Sequence, residues 1–179
     1  KSPDFCRIVN EANFARVSNF LKDGTVVFGG KTNAESRYIA PTLLTNVAPD
    51  SNVMTDEIFG PVLPILKIES PEAAIAFVNK RPKPLALYLF SGDKDIVEKV
   101  LTETSSGGVC VNDVVMHMPV PELPFGGVGS SGMGSYHGKK SFESFTHAKG
   151  ILVKGTWPDF AIRYPPYKEN RTKWLAMLR

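Results

Sequence analysis

The strongest constraint on the fold is the regular alternation of apolar and helical segments between residues 62 and 115. The apolar runs are Val62–Ile68, Leu85–Phe90 and Val109–Val115, and the segments between them, Ser70–Lys80 and Lys94–Thr104, have helical periodicity. Strands and helices that alternate at this spacing favour crossover units on a largely parallel sheet. Because parallel strands are usually covered on both faces, we expect the three apolar runs to be buried. The chain is therefore predicted to be an α/β protein.

Local signals show where the helices begin and end. Ser70 offers a side-chain cap, Pro71 suits the first helical position, and Glu72 places an acid in the first turn. Earlier in the chain, Asn10–Lys22 has its apolar side chains close to one face and stops at Asp23-Gly24. The remaining predictions are strands at Thr25–Phe28 and Gly150–Lys154, an extended segment at Tyr38–Val47, a loop at Pro119–Gly134 and two helical turns at Gly138–Phe145.

The composition is that of an ordinary soluble globular protein, with 42% hydrophobic and 22% charged residues among 179. A chain of this length buries roughly 70% of its unfolded surface, which is enough for a core. Two cysteines are too few for a disulfide scaffold and favour a reduced, intracellular compartment. Cys6 and Cys110 both have apolar neighbours, so we interpret each as a packed, structural thiol.

The net charge of +3 arises entirely from residues 157–179, which carry five basic and two acidic side chains. A local charge of this size is too weak to indicate nucleic-acid binding. No apolar run approaches the roughly 20 residues of a membrane span, and no signal peptide opens the chain. We therefore expect a cytoplasmic protein whose basic, aromatic tail either packs as a strap or makes weak peripheral contact with membranes.

The histidines and the glycine-rich loop do not indicate a site by their spacing. His117, His137 and His147 lack the spacing of metal ligands and have few acids near them, so no metal site is predicted. The stretch GVGSSGMG is not the dinucleotide fingerprint, because no strand leads directly into it and no long helix follows.

The stretch EIFGPVLPI, residues 57–65, is the most unusual local feature. It places the carboxylate of Glu57 two residues from the ring of Phe59, and Gly60-Pro61 follows as a stiffened turn. Taken alone, Glu57 is a solvated acid and Phe59 is a plug over the core. The context provided by the rest of the chain changes that interpretation.

Five stretches in the same order resemble the aldehyde dehydrogenase superfamily, and specifically its class 3 branch, which includes the fatty-aldehyde enzymes. They are EIFGPVLPI, KPLALYLFS, TSSGGVCVND, LPFGGVGSSGMGSYHGKKSFESF and RYPP. The resemblance covers nearly the whole chain, from about Asp4 to Pro166, and it implies the later half of the catalytic domain, an oligomerisation strand and a C-terminal tail. In domain terms, residues 1–136 would belong to the catalytic domain, 137–156 to a helix and the oligomerisation strand, and 157–179 to the tail.

The resemblance also implies a reaction and roles for particular residues. Enzymes of the family oxidise aldehydes to carboxylic acids with NAD or NADP, by attack of a cysteine thiolate, hydride transfer to the nicotinamide and release by a glutamate-activated water. In that family the acid of EIFGP holds the hydroxyls of the nicotinamide ribose and the aromatic ring packs against the nicotinamide. These roles fall on Glu57 and Phe59. Phe125 resembles the aromatic residue that lines the class 3 substrate funnel, and His137 is expected near the same pocket.

The chain also departs from the family pattern. The nucleophilic cysteine of the family lies in a Gly-Gln-x-Cys context, which these 179 residues do not contain. Cys6 lies closer to EIFGP than that cysteine and has different neighbours. We therefore expect the isolated chain to be inactive, with no catalytic residue of its own. Three interpretations remain open: part of a medium- or long-chain or aromatic aldehyde dehydrogenase that forms a homodimer, a non-catalytic truncated paralogue that docks onto full-length subunits, and a fragment or incomplete gene model.

Overall fold

The computed structural model of the protein describes residue 2, residues 4–159 and residues 163–166. Its helices and strands follow one another in short elements. The helices are α1 (Glu11–Phe20), α2 (Asn52–Thr55), α3 (Pro71–Asn79), α4 (Lys94–Glu103) and α5 (Gly138–Phe145). The strands are β1 (Thr25–Phe28), β2 (Thr32–Asn33), β3 (Tyr38–Ile39), β4 (Thr42–Thr45), β5 (Val62–Pro64), β6 (Ala86–Leu89) and β7 (Gly108–Val111).

The four helices predicted within the described part of the chain, α1, α3, α4 and α5, are confirmed to within one or two residues at their ends. The side chain of Asn10 accepts a hydrogen bond from the backbone N–H of Asn13 at 2.8 Å and opens α1. Ser70 caps α3 in the same way. Helices α3 and α4 are joined by an ion pair of 2.6 Å between Lys99 and Glu72. The hydrogen bond from Lys99 lowers the pKa of Glu72 to about 2.

The strands form three small sheets. Strands β1, β4 and β5 make one sheet, β2 and β3 a second, and β6 and β7 a third. The pairs β4–β5 and β6–β7 are parallel, which confirms the α/β class, whereas β1 runs antiparallel to β4. One expectation is wrong: among the described strands β5 pairs with β4 and not with β6, so residues 62–115 do not build one continuous sheet within this chain.

The core lies between α1 and the β1–β4–β5 sheet. Its buried apolar residues come from the first third of the chain: Ile8, Val17, Phe20, Ile39, Leu44, Val47, Val53 and Val62. Thr42 is the buried polar residue among them. Its hydroxyl donates to the carbonyl of Ala40 at 2.7 Å and accepts from the N–H of Gly30 at 2.9 Å. This core holds α1 firmly beside the residues that lead into β5.

The expectation that the parallel strands are covered on both faces is also wrong. In β5 Val62 is buried, but Leu63 is 57% exposed, and Phe90, just after β6, is 66% exposed. The accessible surface of the chain is 14027 Å², whereas a compact protein of this mass exposes roughly 8,600 Å². Apolar strand faces that are suited to burial therefore remain uncovered in the isolated chain.

The strand predicted at Val109–Val115 is shorter than expected. Strand β7 ends at Val111, because Asn112 adopts a positive φ of 60° and leaves the extended conformation. The side chain of Asn112 accepts a hydrogen bond from the N–H of Ser91 and donates one to its carbonyl oxygen. Asn112 therefore links the ends of β6 and β7 instead of continuing the strand.

The C-terminal part of the chain either departs from the predictions or lies outside the described residues. Residues 150–154, expected to form a strand, have no regular secondary structure in the single chain, and Leu152 is 91% exposed. Most of the tail that is expected to form a strap or a weak membrane contact, residues 160–162 and 167–179, lies outside the described residues. Within the described part of the chain, none of the helices has the length and apolar character needed to cross a bilayer.

Candidate functional site

The turn at residues 57–61 is fixed to helix α1 by an arginine. The guanidinium of Arg16 donates to the carbonyl oxygens of Glu57 and Ile58, each at 3.0 Å. The same guanidinium lies over the ring of Phe20, 5.2 Å from its centroid. Because Phe20 is a core residue and Arg16 is part of a capped helix, the turn is fastened to the most buried part of the protein.

The turn also requires a specific residue type at its tightest point. A Cβ atom on Gly60 would lie 2.7 Å from Cγ1 of Val17, so a larger residue would push the turn away from α1. Phe59 adopts a positive φ of 44°, which is uncommon for residues other than glycine and is typical of functional sites. The result is a stiff turn that directs Phe59 away from the core.

The structure excludes the interpretation of Phe59 as a plug over the core. Its side chain is 75% exposed. Glu57 is also exposed, and its carboxylate receives no hydrogen bond from the described residues. A free carboxylate can accept several hydrogen bonds at once, so Glu57 is available to a ligand that presents hydroxyl groups.

Phe59 forms one wall of an open cleft of about 640 Å³, called the first cleft below. Gly60 and Pro61 continue that wall, and residues 5–9 with Asn13 form the other. Cys6 lies on this cleft and is exposed, so the expectation that it is a packed thiol is wrong. The reason is that the core accepts Ile8 but leaves Val9 and Cys6 at the surface. Cys110, in β7, is half-buried.

The other two predicted site residues are brought together at a second place. An antiparallel bridge pairs Phe125 with Tyr136, with backbone hydrogen bonds of 2.9 and 3.0 Å. The bridge brings the ring of Phe125 close to that of His137, with centroids 6.1 Å apart and planes inclined by only 28°. His137 has a φ of 82° and opens helix α5. Phe125 and His137 are thus neighbours although twelve positions separate them.

A second cleft, of about 460 Å³, lies beside this pair. Its apolar lining includes Phe125, Met133, Tyr136 and Phe145, and the glycines of the GVGSSGMG stretch supply backbone. One of these glycines allows close approach of backbone: a Cβ on Gly127 would lie 2.1 Å from the carbonyl oxygen of Ser131. The glycine-rich stretch therefore forms a folded wall and not a loose loop.

Sequence reasoning did not find Arg16 as a site residue. Arg16 lies 41 positions before Glu57 and bonds to backbone carbonyls, so no pattern of residue types could have shown the contact.

Comparison with known proteins identifies the architecture that this geometry belongs to. The model of the aldehyde dehydrogenase family matches residues 2–151. The chain belongs to the aldehyde dehydrogenase family. It is 51% identical over 175 residues to aldehyde dehydrogenase family 3 member A2 of Rattus norvegicus, covering 97% of this chain and 36% of that protein. It is 54% identical over 168 residues to the dimeric NADP-preferring aldehyde dehydrogenase of the same organism, covering 93% and 37%.

A solved structure shows the same aldehyde dehydrogenase fold. The substrate-bound state of Staphylococcus aureus AldH superposes with a TM-score of 0.82 at 48% identity, over 100% of this chain and 40% of that chain. The resemblance to the class 3 branch is therefore confirmed by the family 3 relatives, and the aldehyde dehydrogenase fold is confirmed by the solved structure. The chain spans between a third and two fifths of the length of these aldehyde dehydrogenases.

Proposed function

We propose that this chain is part of an NAD- or NADP-dependent aldehyde dehydrogenase that oxidises medium- or long-chain or aromatic aldehydes to carboxylic acids. Glu57 and Phe59 would hold the nicotinamide end of the cofactor, and Phe125 and His137 would line the path of the aldehyde. The observation that carries the proposal is the turn at residues 57–61, where a free carboxylate and an exposed ring are held on a rigid support by Arg16.

The residues present fit a nicotinamide cofactor. The Glu57 carboxylate can accept hydrogen bonds from the two hydroxyls of a ribose, and bonds to a charged acceptor are the stronger kind. Phe59 offers an exposed ring on the adjoining cleft, where a flat nicotinamide could pack. When bound, NAD or NADP supplies the acceptor for the hydride of the aldehyde. The contribution of this chain is positioning, because the Arg16 bonds and Gly60 fix the turn before any ligand arrives.

The second site suits the apolar part of an aldehyde. Phe125, Tyr136 and Phe145 give its cleft an aromatic lining, and His137 places an imidazole against Phe125. Apolar clefts with few polar groups are typical of sites for apolar small molecules. The family 3 relatives support an aldehyde as that molecule, although the chain length or aromatic character of the substrate is part of the proposal.

The aromatic ring of Phe59 provides a test that separates function from stability. Phe59→Ala, in a complete enzyme that carries this segment, is expected to change the free energy of unfolding by no more than about 0.5 kcal/mol, because the ring is exposed. The same change should lower the rate of hydride transfer, measured by the appearance of NADH fluorescence in a single turnover. Phe142→Ala is the matched control, since Phe142 is similarly exposed but lies on α5 and lines neither cleft. Equal rates in the two variants would remove Phe59 from the proposed site.

The proposed enzyme is a homodimer that pairs through residues 149–154. The segment KGILVK is apolar at its centre and bracketed by lysines, which is typical of an edge strand protected until it meets a partner. Its central side chains are exposed in the single chain, with Leu152 91% exposed. The description of the rat relative as dimeric supports this assignment.

Leu152→Pro is expected to abolish the dimer, because proline removes a backbone donor from the intermolecular ladder. Sedimentation should then show monomer or aggregate. Leu152→Ala is the control, since it shortens the side chain but keeps the N–H, and it should retain more dimer than Leu152→Pro. A Leu152→Pro protein that sediments as an intact dimer would exclude this segment as the dimer strand.

The alternative function is that of a non-catalytic module that docks onto full-length subunits. The observation that favours it is the same exposed segment at residues 150–154, which would pair with a partner whether or not this chain takes part in catalysis. The two functions differ in whether Glu57 affects the reaction of the assembled enzyme.

A further inference from the structure

We propose that His117 is a positioning residue for Phe125, and that it thereby sets the affinity of the enzyme for aldehydes with bulky apolar groups. The proposal rests on the proposed function of Phe125 as part of the aldehyde path. His117 lies in the loop after β7 and belongs to none of the five stretches that resemble the family.

His117 lies against one face of the β6–β7 sheet. Its ring makes an edge contact with Tyr88 of β6, with centroids 5.9 Å apart and planes inclined by 67°. On β7, a Cβ atom at Gly108 would come within 2.8 Å of Cδ2 of the His117 ring. The absence of a side chain at Gly108 therefore leaves the space that the imidazole occupies.

The same ring contacts Phe125 on its other neighbouring element. The centroids of His117 and Phe125 are 6.1 Å apart, and their planes are inclined by 47°. Phe125 also contacts Tyr136 at 5.7 Å and His137 at 6.1 Å. His117 thus joins the sheet to the aromatic group at the second cleft. Phe125 itself is only half-buried, so its orientation depends on these ring contacts.

The strained loop after β7 positions His117 between the β6–β7 sheet and Phe125. The loop reverses direction through positive φ angles at Asn112 (60°) and Val115 (64°), and the second is a costly conformation for a β-branched residue. A backbone hydrogen bond of 2.8 Å from Met118 to Val115 closes the turn around His117. Strain of this kind persists only where surrounding contacts hold it. Here Asn112 is held by its two hydrogen bonds to Ser91, and the ring of His117 contacts Tyr88 and Phe125.

The imidazole acts through packing and not through a hydrogen bond. Both of its nitrogen atoms are buried and have no hydrogen-bond partner among the described residues. An apolar ring of similar shape should therefore position Phe125 equally well, and it would also avoid the free-energy cost of burying polar atoms. This distinguishes His117 from a residue that exchanges protons with the substrate.

The test uses a complete enzyme that carries this segment, with four variants: His117→Ala, His117→Phe, Phe125→Ala and the double variant His117→Ala/Phe125→Ala. We expect His117→Ala to raise the KM for an aromatic or long-chain aldehyde about 10-fold, while kcat and the KM for acetaldehyde change little. His117→Phe should restore the KM of the parent and have the same or a higher Tm. In the double variant, His117→Ala should add little to the effect of Phe125→Ala, because it acts through that ring.

The outcomes separate this inference from the proposed function. If Phe125→Ala leaves the KM for the large aldehyde unchanged, the proposed role of Phe125 fails, and His117 has nothing to position. If Phe125→Ala raises that KM but His117→Ala does not, only the inference about His117 fails. It also fails if His117→Ala lowers kcat equally for all aldehydes, or if His117→Phe is as impaired as His117→Ala. Should His117→Ala not fold, Gly108→Ala replaces it, since a methyl group there displaces the imidazole without removing it.

Discussion

Replacing Glu57 by glutamine, in a complete enzyme that carries this segment, is expected to lower the rate of hydride transfer about 100-fold, because a slightly misplaced reacting group has an effect of that size. Glutamine has nearly the same shape as glutamate but lacks the negative charge, so its bonds to ribose hydroxyls are weaker. The nicotinamide would then sample poses from which the hydride cannot be transferred. The affinity for the aldehyde should change little, because Glu57 lies in the turn at residues 57–61, whereas Phe125 lines the second cleft and His137 packs against its ring.

Single-turnover measurement separates hydride transfer from the release of products. Asp56→Asn is the matched control, because Asp56 is the neighbouring acid and is also exposed. The control should react at the rate of the parent enzyme. A Glu57→Gln enzyme that also reacts at the parent rate would reduce Glu57 to a surface acid.

The isolated 179-residue chain is expected to show no aldehyde-oxidising turnover. Covalent catalysis that loses its nucleophile leaves only residual rates, and the Gly-Gln-x-Cys context does not occur in these residues. The exposed thiol at the first cleft belongs to Cys6, which has no basic partner in hydrogen-bond contact among the described residues. Formation of NADH from NAD and a medium-chain aldehyde, followed by absorbance, measures the turnover directly.

Cys6→Ser gives this experiment its control. If the purified chain oxidises the aldehyde and the Cys6→Ser variant does not, Cys6 is a nucleophile and the interpretation of the chain as incomplete is wrong. If both are inactive, the prediction is confirmed. The interaction-module alternative is then tested by adding the chain to full-length subunits and asking whether Glu57→Gln in the chain alters their turnover.

The helices were predictable because their signals are local. Asn10 and Ser70 cap α1 and α3 through hydrogen bonds to residues three positions away. Both partners of each bond therefore lie within one short stretch of sequence. The lengths of the strands were not predictable in this way. Strand β5 was expected to reach Ile68, but it ends at Pro64, where the register with β4 ends. That limit is set by a strand on a distant part of the chain.

The candidate site shows the same difference between features with local sequence signals and features that depend on tertiary contacts. The motifs were enough to select four candidate site residues: Glu57, Phe59, Phe125 and His137. The structure shows that Phe125 and His137 are neighbours. The supports of these residues were not predictable. Arg16 reaches its turn across 41 positions through backbone carbonyls, and His117 reaches Phe125 only because two positive φ angles turn the loop back. Contacts of this kind depend on tertiary structure and leave no pattern in the sequence.

The proposed contact between Glu57 and the hydroxyls of the nicotinamide ribose is tested most directly by a cofactor analogue that lacks those hydroxyls. The rate of hydride transfer is measured for natural NAD and for the analogue, in the parent enzyme, in Glu57→Gln and in the Asp56→Asn control. In the parent and the control, the analogue should react much more slowly than NAD. In Glu57→Gln the two cofactors should react at similar rates, because the contact that distinguishes them has been removed. If Glu57→Gln discriminates between the cofactors as strongly as the parent does, Glu57 does not hold the ribose and the account is wrong.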